Sequence, residues 1–393
     1  FKGDWKKFIV HCLNLNICIK MINKIHKYNF LIVGGGLIGS LAGLHLIKKG
    51  YKVLVVDKNI KPSNDQRTLA VNANSKDFLS SLGIWNKLNN KPQKINKIII
   101  KDTINKAPLI FENDKEEMGN VIFNNELLLK AINQLKAYKS IVDVSNLEID
   151  QLNENKIIQL KNKKYFFNHI ILSVGKKFDD TSVIKKYSLP NSHRAYVGFF
   201  DHSIYHYQTA YEIFTERGPL AVLPSPNSRE NSSTFIYSTK DKLSDGAIYK
   251  LIKKNFTQSH GVIKFNKKVN NFSISPHISK DLSSRYFLIG DTLRSIHPVA
   301  GQGWNLGVKD IQTLSSLFDN QKLGDENLVK KYSQMRLLES TGYLSFTTLI
   351  NFLYENKNPL SNLIIMSVFN SLKNLKFLRD SFIKQAMGRL KLI

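Results

Sequence analysis

The chain has 393 residues, long enough for two domains with cores of their own. Its two cysteines, Cys12 and Cys18, lie near the start; this excludes a disulfide framework, a cysteine-based zinc site and an iron–sulfur cluster, and leaves the body of the chain no cysteine for a covalent cofactor link. Lys and Arg number 57 against 31 Asp and Glu, a formal net charge of +26. The excess is dispersed rather than clustered with aromatics, so no nucleic-acid partner is expected. It reads either as a solvated basic face in a Lys-, Asn- and Ile-rich chain or as attraction to an anionic membrane surface.

In chain order, residues 1–26 read as an N-terminal extension. Residue 1 is Phe, the first Met is Met21, and the partly apolar stretch 8–19 is broken by His11, Asn14 and Asn16, unlike a signal peptide. Residues 28–33 (YNFLIV) are an apolar strand. They run into Gly34-Gly35-Gly36-Leu37-Ile38-Gly39 and then Gly43, with Leu37, Leu41, Leu44 and Ile47 at helical spacing. Residues 53–56 (VLVV) form a second strand that ends in Asp57, 18 positions past Gly39. Strand, glycine turn, helix, strand and acid make a dinucleotide-binding fingerprint. Gly34 allows the tight turn, Gly36 lets backbone approach a pyrophosphate, Gly39 and Gly43 allow close helix–strand packing, and Asp57 takes ribose hydroxyls. The fingerprint alone does not separate NAD from FAD.

Further on, residues 65–71 (DQRTLAV) and 78–85 (FLSSLGIW) precede a strand at 169–172 (HIIL). Residues 210–224 (AYEIFTERGPLAVLP) alternate in polarity around a Gly-Pro turn and suggest an antiparallel sheet. His202 and His206 are four apart in a Tyr-rich, strand-like segment and read as structural or pocket-lining; no metal site is expected. Residues 290–310 (GDTLRSIHPVAGQGWNLGVKD) follow an apolar strand, YFLI. They place Asp291 at the strand end, then a His-Pro turn, then a glycine loop opening a helix marked by Trp304, Val308, Ile311, Leu314 and Phe318. Such a loop aims backbone N–H groups at an anionic or electron-rich ligand. Near the end, Leu372, Leu375, Leu378, Phe382, Ala386 and Leu390 form an apolar stripe. Around it lie Lys373, Lys376, Arg379, Lys384, Arg389 and Lys391, so this helix rests on a membrane or partner, or packs on the rest of the protein. No run is long enough to span a bilayer; the longest candidate is 363–369.

Residues 290–310 resemble the second flavin motif of single-component aromatic-ring hydroxylases, and most of all that of the ubiquinone-biosynthesis hydroxylases. Residues 65–71, 78–85, 210–224 and the Leu328, Tyr332, Arg336 spacing are similar to further segments of that family. The resemblance covers roughly residues 27–388. It implies an α/β fold: a Rossmann-like FAD-binding domain with an inserted antiparallel β-sheet substrate domain and a helical C-terminus. The expected division is 27–92, 119–187 and 280–330 for the FAD domain, 93–118 and 188–279 for the substrate sheet, and 331–393 for the helical region.

It also implies non-covalent FAD held by Gly34, Gly36, Gly39, Asp57, Arg67, Gly290, Asp291, Pro298, Gly301, Gln302, Gly303 and Asn305. Asp291 would take the ribityl chain and Arg67 the phosphate or ribityl region. Pro298 and Gly301-Gln302-Gly303 would lie beside the isoalloxazine. NAD(P)H would reduce the flavin, O2 would add at flavin C4a, and the hydroperoxide would hydroxylate the phenolic ring of a polyprenylated ubiquinone precursor. No side chain is singled out as a base for that phenol. The implied setting is cytoplasmic and peripheral to the inner membrane, with a quinone-biosynthesis complex as a possible partner.

Two departures stand out. The family's third motif carries a carboxylate after the middle strand, where this chain has Val174; Gly175 follows, about three residues are inserted before Ser182, and Lys185 stands where an Arg is usual. Arg294 replaces the usual His. The altered third motif leaves two alternatives: a non-catalytic scaffold subunit of a quinone-biosynthesis complex, or another FAD-dependent lipid oxidoreductase.

Overall fold

The computed structural model describes residues 25–60, 67–113, 116–144, 157–160, 163–189, 193–226, 231–298, 301–319, 323–325, 327–356 and 358–389. Most of the N-terminal extension, Asp65 and Gln66, and Leu390 and Lys391 lie outside them.

The chain opens on β1 (Ile25–Val33), α1 (Leu37–Lys48) and β2 (Val53–Asp57). There follow β3 (Thr68–Asn72), α2 (Ala73–Ser81), β4 (Gln93–Ile95), β5 (Lys97–Asp102), β6 (Leu109–Glu112), β7 (Gly119–Phe123), α3 (Asn124–Ala137) and β8 (Ile141–Asp143). The middle holds β9 (Ile157–Leu160), β10 (Lys163–Leu172), β11 (Ile184–Ser188), β12 (Arg194–His202), β13 (Thr209–Thr215), β14 (Gly218–Pro224) and β15 (Ser232–Thr239). Then come α4 (Asp245–His260), β16 (Ile263–Lys264), β17 (Asn270–Ser273), β18 (His277–Asp281), β19 (Tyr286–Leu288) and β20 (Arg294–Ser295). Four helices close the chain: α5 (Gly303–Phe318), α6 (Asn327–Glu355), α7 (Pro359–Asn374) and α8 (Lys376–Ala386).

The protein is α/β. One sheet has the order β19-β10-β1-β2-β8, all pairs parallel, with β9 added antiparallel to β10. The segments 30–33, 53–56, 170–172 and 286–288 of its strands are buried on both faces, which is why they read as apolar runs. Phe30, Ile32, Val55, Ile171 and Phe287 face α1, α3 and α5, while Leu31, Val33, Val56, Leu172 and Leu288 fill the other side.

A larger sheet has the order β16-β12-β15-β14-β13-β5-β6, with β17 also on β12. It is antiparallel except for β5 beside β13, which run parallel. β5 reaches this sheet from a distant part of the chain, so no hairpin forces the two strands to oppose. One face of the sheet packs Leu220, Phe235 and Tyr237 on Ile248, Ile252 and Phe256 of α4. A small sheet, β3-β7-β4, and a second, β11-β18-β20, join the two large ones.

The C-terminal stripe does not form one helix. Leu375 is extended (φ −100°, ψ 97°) and separates α7 from α8. Leu372 and Phe382 turn inward onto Leu109 and Phe111, while Leu375 and Leu378 stay exposed.

Candidate functional site

The loop after β1 is shaped by the protein itself. Gly34 has φ +106°, and a Cβ there would lie 2.1 Å from the Ser173 carbonyl oxygen at the end of β10. A Cβ on Gly39 would lie 1.9 Å from the Gly34 oxygen. Gly36, the N-cap of α1, differs: a Cβ there meets no atom within 4 Å. Open space therefore lies in front of a helix N-terminus, where an anionic group is stabilised. Asp57 closes the unit, its Oδ2 accepting from Gly35 N–H at 2.5 Å and its Oδ1 from Asn59 N–H at 2.9 Å. A carboxylate has lone pairs left for ribose hydroxyls after two such bonds.

The second motif docks on the first. Ile38 of α1 is the wedge between them: a Cβ on Gly290 would lie 3.3 Å from it, and one on Gly307 2.7 Å. Behind that contact sits Asp310, wholly buried. It accepts from Gly290 N–H at 2.8 Å, from Arg294 Nη1 at 2.9 Å and from Arg336 Nε at 2.7 Å. Arg294, the departure from the family pattern, is thus half of a buried ion pair that supports the Gly290 turn. Tyr332, also on α6, donates to the Leu288 carbonyl at 2.9 Å.

Asp291 stands at the open end. Its side chain is exposed at the surface yet surrounded by protein, as on the wall of a cleft. Desolvation raises its pKa, while Lys176, His277, Arg294 and Arg67 pull it back. No side-chain bond or ion pair engages its carboxylate among the described residues. Arg67 belongs to the same mouth: its guanidinium lies 5.8 Å from the Phe272 ring centroid.

The glycine loop before α5 turns at Gly301 (φ +59°), whose N–H donates to the Pro298 carbonyl at 3.0 Å. Gln302 leads into the helix, which Gly303 begins. Asn305 reaches β3, donating to the Ala70 carbonyl at 2.9 Å and accepting from Asn72 N–H at 3.1 Å. A Cβ on Gly301 would touch that of Ala70 at 3.4 Å, and Thr68 at the other end of β3 bonds Thr234 of β15 at 3.4 Å. β3 is therefore the rib between the glycine loop and the large sheet.

The altered third motif abuts the same place. Val174 packs into the core beside β1 and β10, and Gly175 N–H donates to Thr292 Oγ1 at 3.0 Å. Asp180 is turned to β11, accepting from Lys186 N–H at 2.9 Å and pairing with Lys185 at 3.7 Å, while Ser182 is exposed. His202 and His206 lie away from the cleft, buried with His260 among aromatic rings. His202 bonds the Ile204 carbonyl at 2.7 Å, and desolvation lowers the pKa of all three histidines. Among the described residues, no group of three or more His, Cys, Asp or Glu is placed to hold a metal ion.

The residues fit a dinucleotide cofactor. Gly36 leaves room at a helix N-terminus, Asp57 stands at the end of β2, and Asp291 keeps a carboxylate unengaged among the described residues. Sequence reasoning passed over Asp310, although it closes the quoted motif, and Glu212, although it is the one acid in a strand of apolar and small residues.

The FAD binding domain family matches residues 27–150 and 203–347. The ubiquinone biosynthesis monooxygenase of Dictyostelium discoideum is 23% identical over 90% of this chain and 90% of its own length. A ubiquinone hydroxylase of Rhodospirillum rubrum is 24% identical over 92% of this chain and 90% of its own. Among solved structures, p-nitrophenol 4-monooxygenase of Pseudomonas putida superposes with a TM-score of 0.71 at 14% identity, covering 94% of this chain and all of that one (100%). A flavin-dependent brominase superposes with a TM-score of 0.66 at 12% identity, covering 92% of this chain and 94% of that one. These structures share the fold.

Proposed function

Because the chain belongs to the FAD binding domain family, we propose that it is a FAD-dependent monooxygenase. In this reading it hydroxylates the phenolic ring of a polyprenylated ubiquinone precursor, with NAD(P)H as electron donor and O2 as oxygen source. The observation that carries the reading is the meeting of the two motifs across Ile38. That meeting supports the reading, with open space before Gly36 on one side and the unengaged carboxylate of Asp291 on the other. The names of the relatives support the substrate class.

When bound, FAD supplies the oxygen activation and transfer. The chain supplies the rest. Gly36 would receive the pyrophosphate on a turn that Gly34 and Gly39 let close, Asp57 would take the adenosine ribose, and Asp291 with Arg67 and Gly290 the ribityl–phosphate stretch. The N–H groups of Gln302 and Gly303 would meet negative charge on the reduced ring at the turn that Gly301 makes, Pro298 would lie beside it, and Asn305 holds that loop to β3. The large sheet would form the wall over the ring and help to keep water out. We divide the chain accordingly into a FAD domain (27–92, 119–187, 280–330), a substrate sheet (93–118, 188–279) and a helical C-terminus (331–393).

The test is a strain that lacks the gene. A prenylated phenol one hydroxyl short should accumulate, and the wild type but not Gly36→Val should clear it. Unchanged quinone would sink the proposal. Val174 in place of a carboxylate favours one second reading, a scaffold in a quinone-biosynthesis complex; flavin-free Gly36→Val that restored synthesis would decide for it.

We also place the protein on the cytoplasmic side, peripheral to the inner membrane. No helix of the described residues is long and apolar enough to cross a bilayer. Yet α6 to α8 expose Leu338 (80%), Leu360 (66%), Leu363 (61%) and Phe377 (77%), with Lys373, Lys376 and Lys384 exposed beside them. Apolar side chains flanked by lysines suit an anionic lipid surface. Arg379 and Arg389 are held elsewhere, by the Ile110 carbonyl and by Asp77. Flotation with phosphatidylglycerol vesicles should fall on Phe377→Asp and with salt; binding indifferent to both would refute this placement.

A further inference from the structure

Glu212 lies in the middle of β13. Strand register puts it in one row with Ile100 of β5, Ala221 of β14, Ile236 of β15 and Val197 of β12. This row is on the face opposite α4, because Tyr211, Ile213, Leu220 and Phe235 of the alternate positions pack on that helix. The same face is closed at its margins. Thr234 meets Thr68 of β3; Ala210 and Leu223 pack on Ile95 and Val121; Phe214 stacks on Tyr354 of α6 at 4.1 Å. Between these contacts Glu212, Ala221, Ile236 and Val197 are only half-buried. Those four positions stay accessible between the contacts, next to the rib that carries the Gly301 loop.

Glu212 has no hydrogen-bond or ion-pair partner among the described residues. The titratable groups facing from the neighbouring elements, Asp102 of β5 and Tyr354 of α6, bond each other at 2.9 Å. No basic group contributes to the Glu212 shift; desolvation alone pushes its pKa up to about 8. A half-buried, unpartnered acid on an apolar wall is costly to keep ionised unless a ligand engages it.

We propose that Glu212 is the general base of the substrate site, accepting the proton of the ring hydroxyl of a bound phenol. The phenol O–H bond breaks, the Glu212 O–H bond forms, and the ring keeps the electron pair as a phenolate, more readily oxidised than the phenol. The proton returns to solvent when product leaves. With a phenol near pKa 10, an ordinary carboxylate faces a roughly million-fold unfavourable transfer, and one near 8 about a hundred-fold. The inference rests on the monooxygenase reading.

The test uses the whole, FAD-loaded protein without reductant, titrated with 2-geranylphenol and with its methyl ether, 2-geranylanisole, read by flavin absorbance. Above pH 8 the ionised carboxylate accepts from the phenol and not from the ether, so the wild type should prefer the phenol about ten-fold or more. Near pH 6.5 the neutral acid donates to either, and the preference should shrink. Glu212→Gln should discriminate equally at both pH values. In turnover, kcat/KM of the wild type should rise toward pH 8. Glu212→Gln should lose that limb and fall about 10²-fold, with Glu212→Asp recovering part. A preference that is flat with pH, or kept in Glu212→Gln, overturns the base while leaving the oxygenase. FAD-loaded protein that binds neither ligand overturns both.

Discussion

In the loop after β1, two fingerprint glycines answer to the protein: a Cβ on Gly34 or Gly39 would run into backbone at 2.1 or 1.9 Å, and only Gly36 looks into open space. The loop before α5 is different. Gly301 is required by its own φ of +59°, a Cβ on Gly303 would come no closer than 3.9 Å to any neighbour, and the loop is held from outside by Asn305 on β3. The turn that opens this second motif, at Gly290, depends likewise on a remote group, the buried Asp310. One glycine loop is shaped by contacts within its own βαβ unit and β10, the other by side chains from elsewhere. The same kind of substitution should therefore report on folding in one place and on ligand in another.

The largest effect should come from the outside support. Asp310→Asn leaves Arg294 buried without its counter-charge and Arg336 with Glu339 alone, and should cost about 3–5 kcal/mol in urea unfolding of the apoprotein. A loss under 1 kcal/mol would mean that the second motif does not need that anchor.

Next comes a paired substitution in the first loop. Gly39→Ala should lower stability by about 1–3 kcal/mol because backbone must move. Gly36→Val should leave the apoprotein melting temperature nearly unchanged and abolish FAD loading. If Gly36→Val unfolds the protein, or Gly39→Ala is neutral, the comparison fails.

Asp291→Ala should weaken FAD by about 1–3 kcal/mol, read by fluorescence titration, through loss of ribityl hydrogen bonds. Unchanged affinity would remove Asp291 from the site.

The gentlest effect, step for step, concerns pH. In the unfolded chain Glu212 ionises near 4.3, whereas the folded chain keeps its proton to about pH 8. The native state then binds one proton more over that window. Its contribution is complete below the unfolded value and is lost as pH rises through 8, with a slope of at most about 1.4 kcal/mol per pH unit. Glu212→Gln should flatten that slope in apoprotein denaturation between pH 5 and 8; an identical slope would mean that Glu212 is solvated.

Much of this was legible in the chain. The strands at 28–33, 53–56 and 286–289 announced themselves because a parallel sheet covered on both faces favours apolar residues at consecutive positions. Gly34, Gly36, Gly39 and Asp57 were legible because a tight turn and a helix N-terminus impose requirements on adjacent residues. The end of the C-terminal stripe was misread as continuous: helical spacing persists across Leu375, and only the docking of Leu372 and Phe382 on Leu109 and Phe111 breaks the helix there.

What the sequence by itself determined, then, is whatever depends on neighbours a few residues away: the two motifs, the strand runs and the class of ligand they serve. Only the tertiary structure decided what depends on groups brought from far along the chain. Arg294 looked like a departure until Asp310, 16 positions on, came within hydrogen-bond distance of it, with Arg336, 42 positions on, closing on the same carboxylate. Glu212 looked like one acid in a sheet strand until register set apolar residues on both sides of it, with no ion-pair partner among the described residues. Burial and charge act through space, and a carboxyl's pKa is set by the groups the fold brings to it or keeps away.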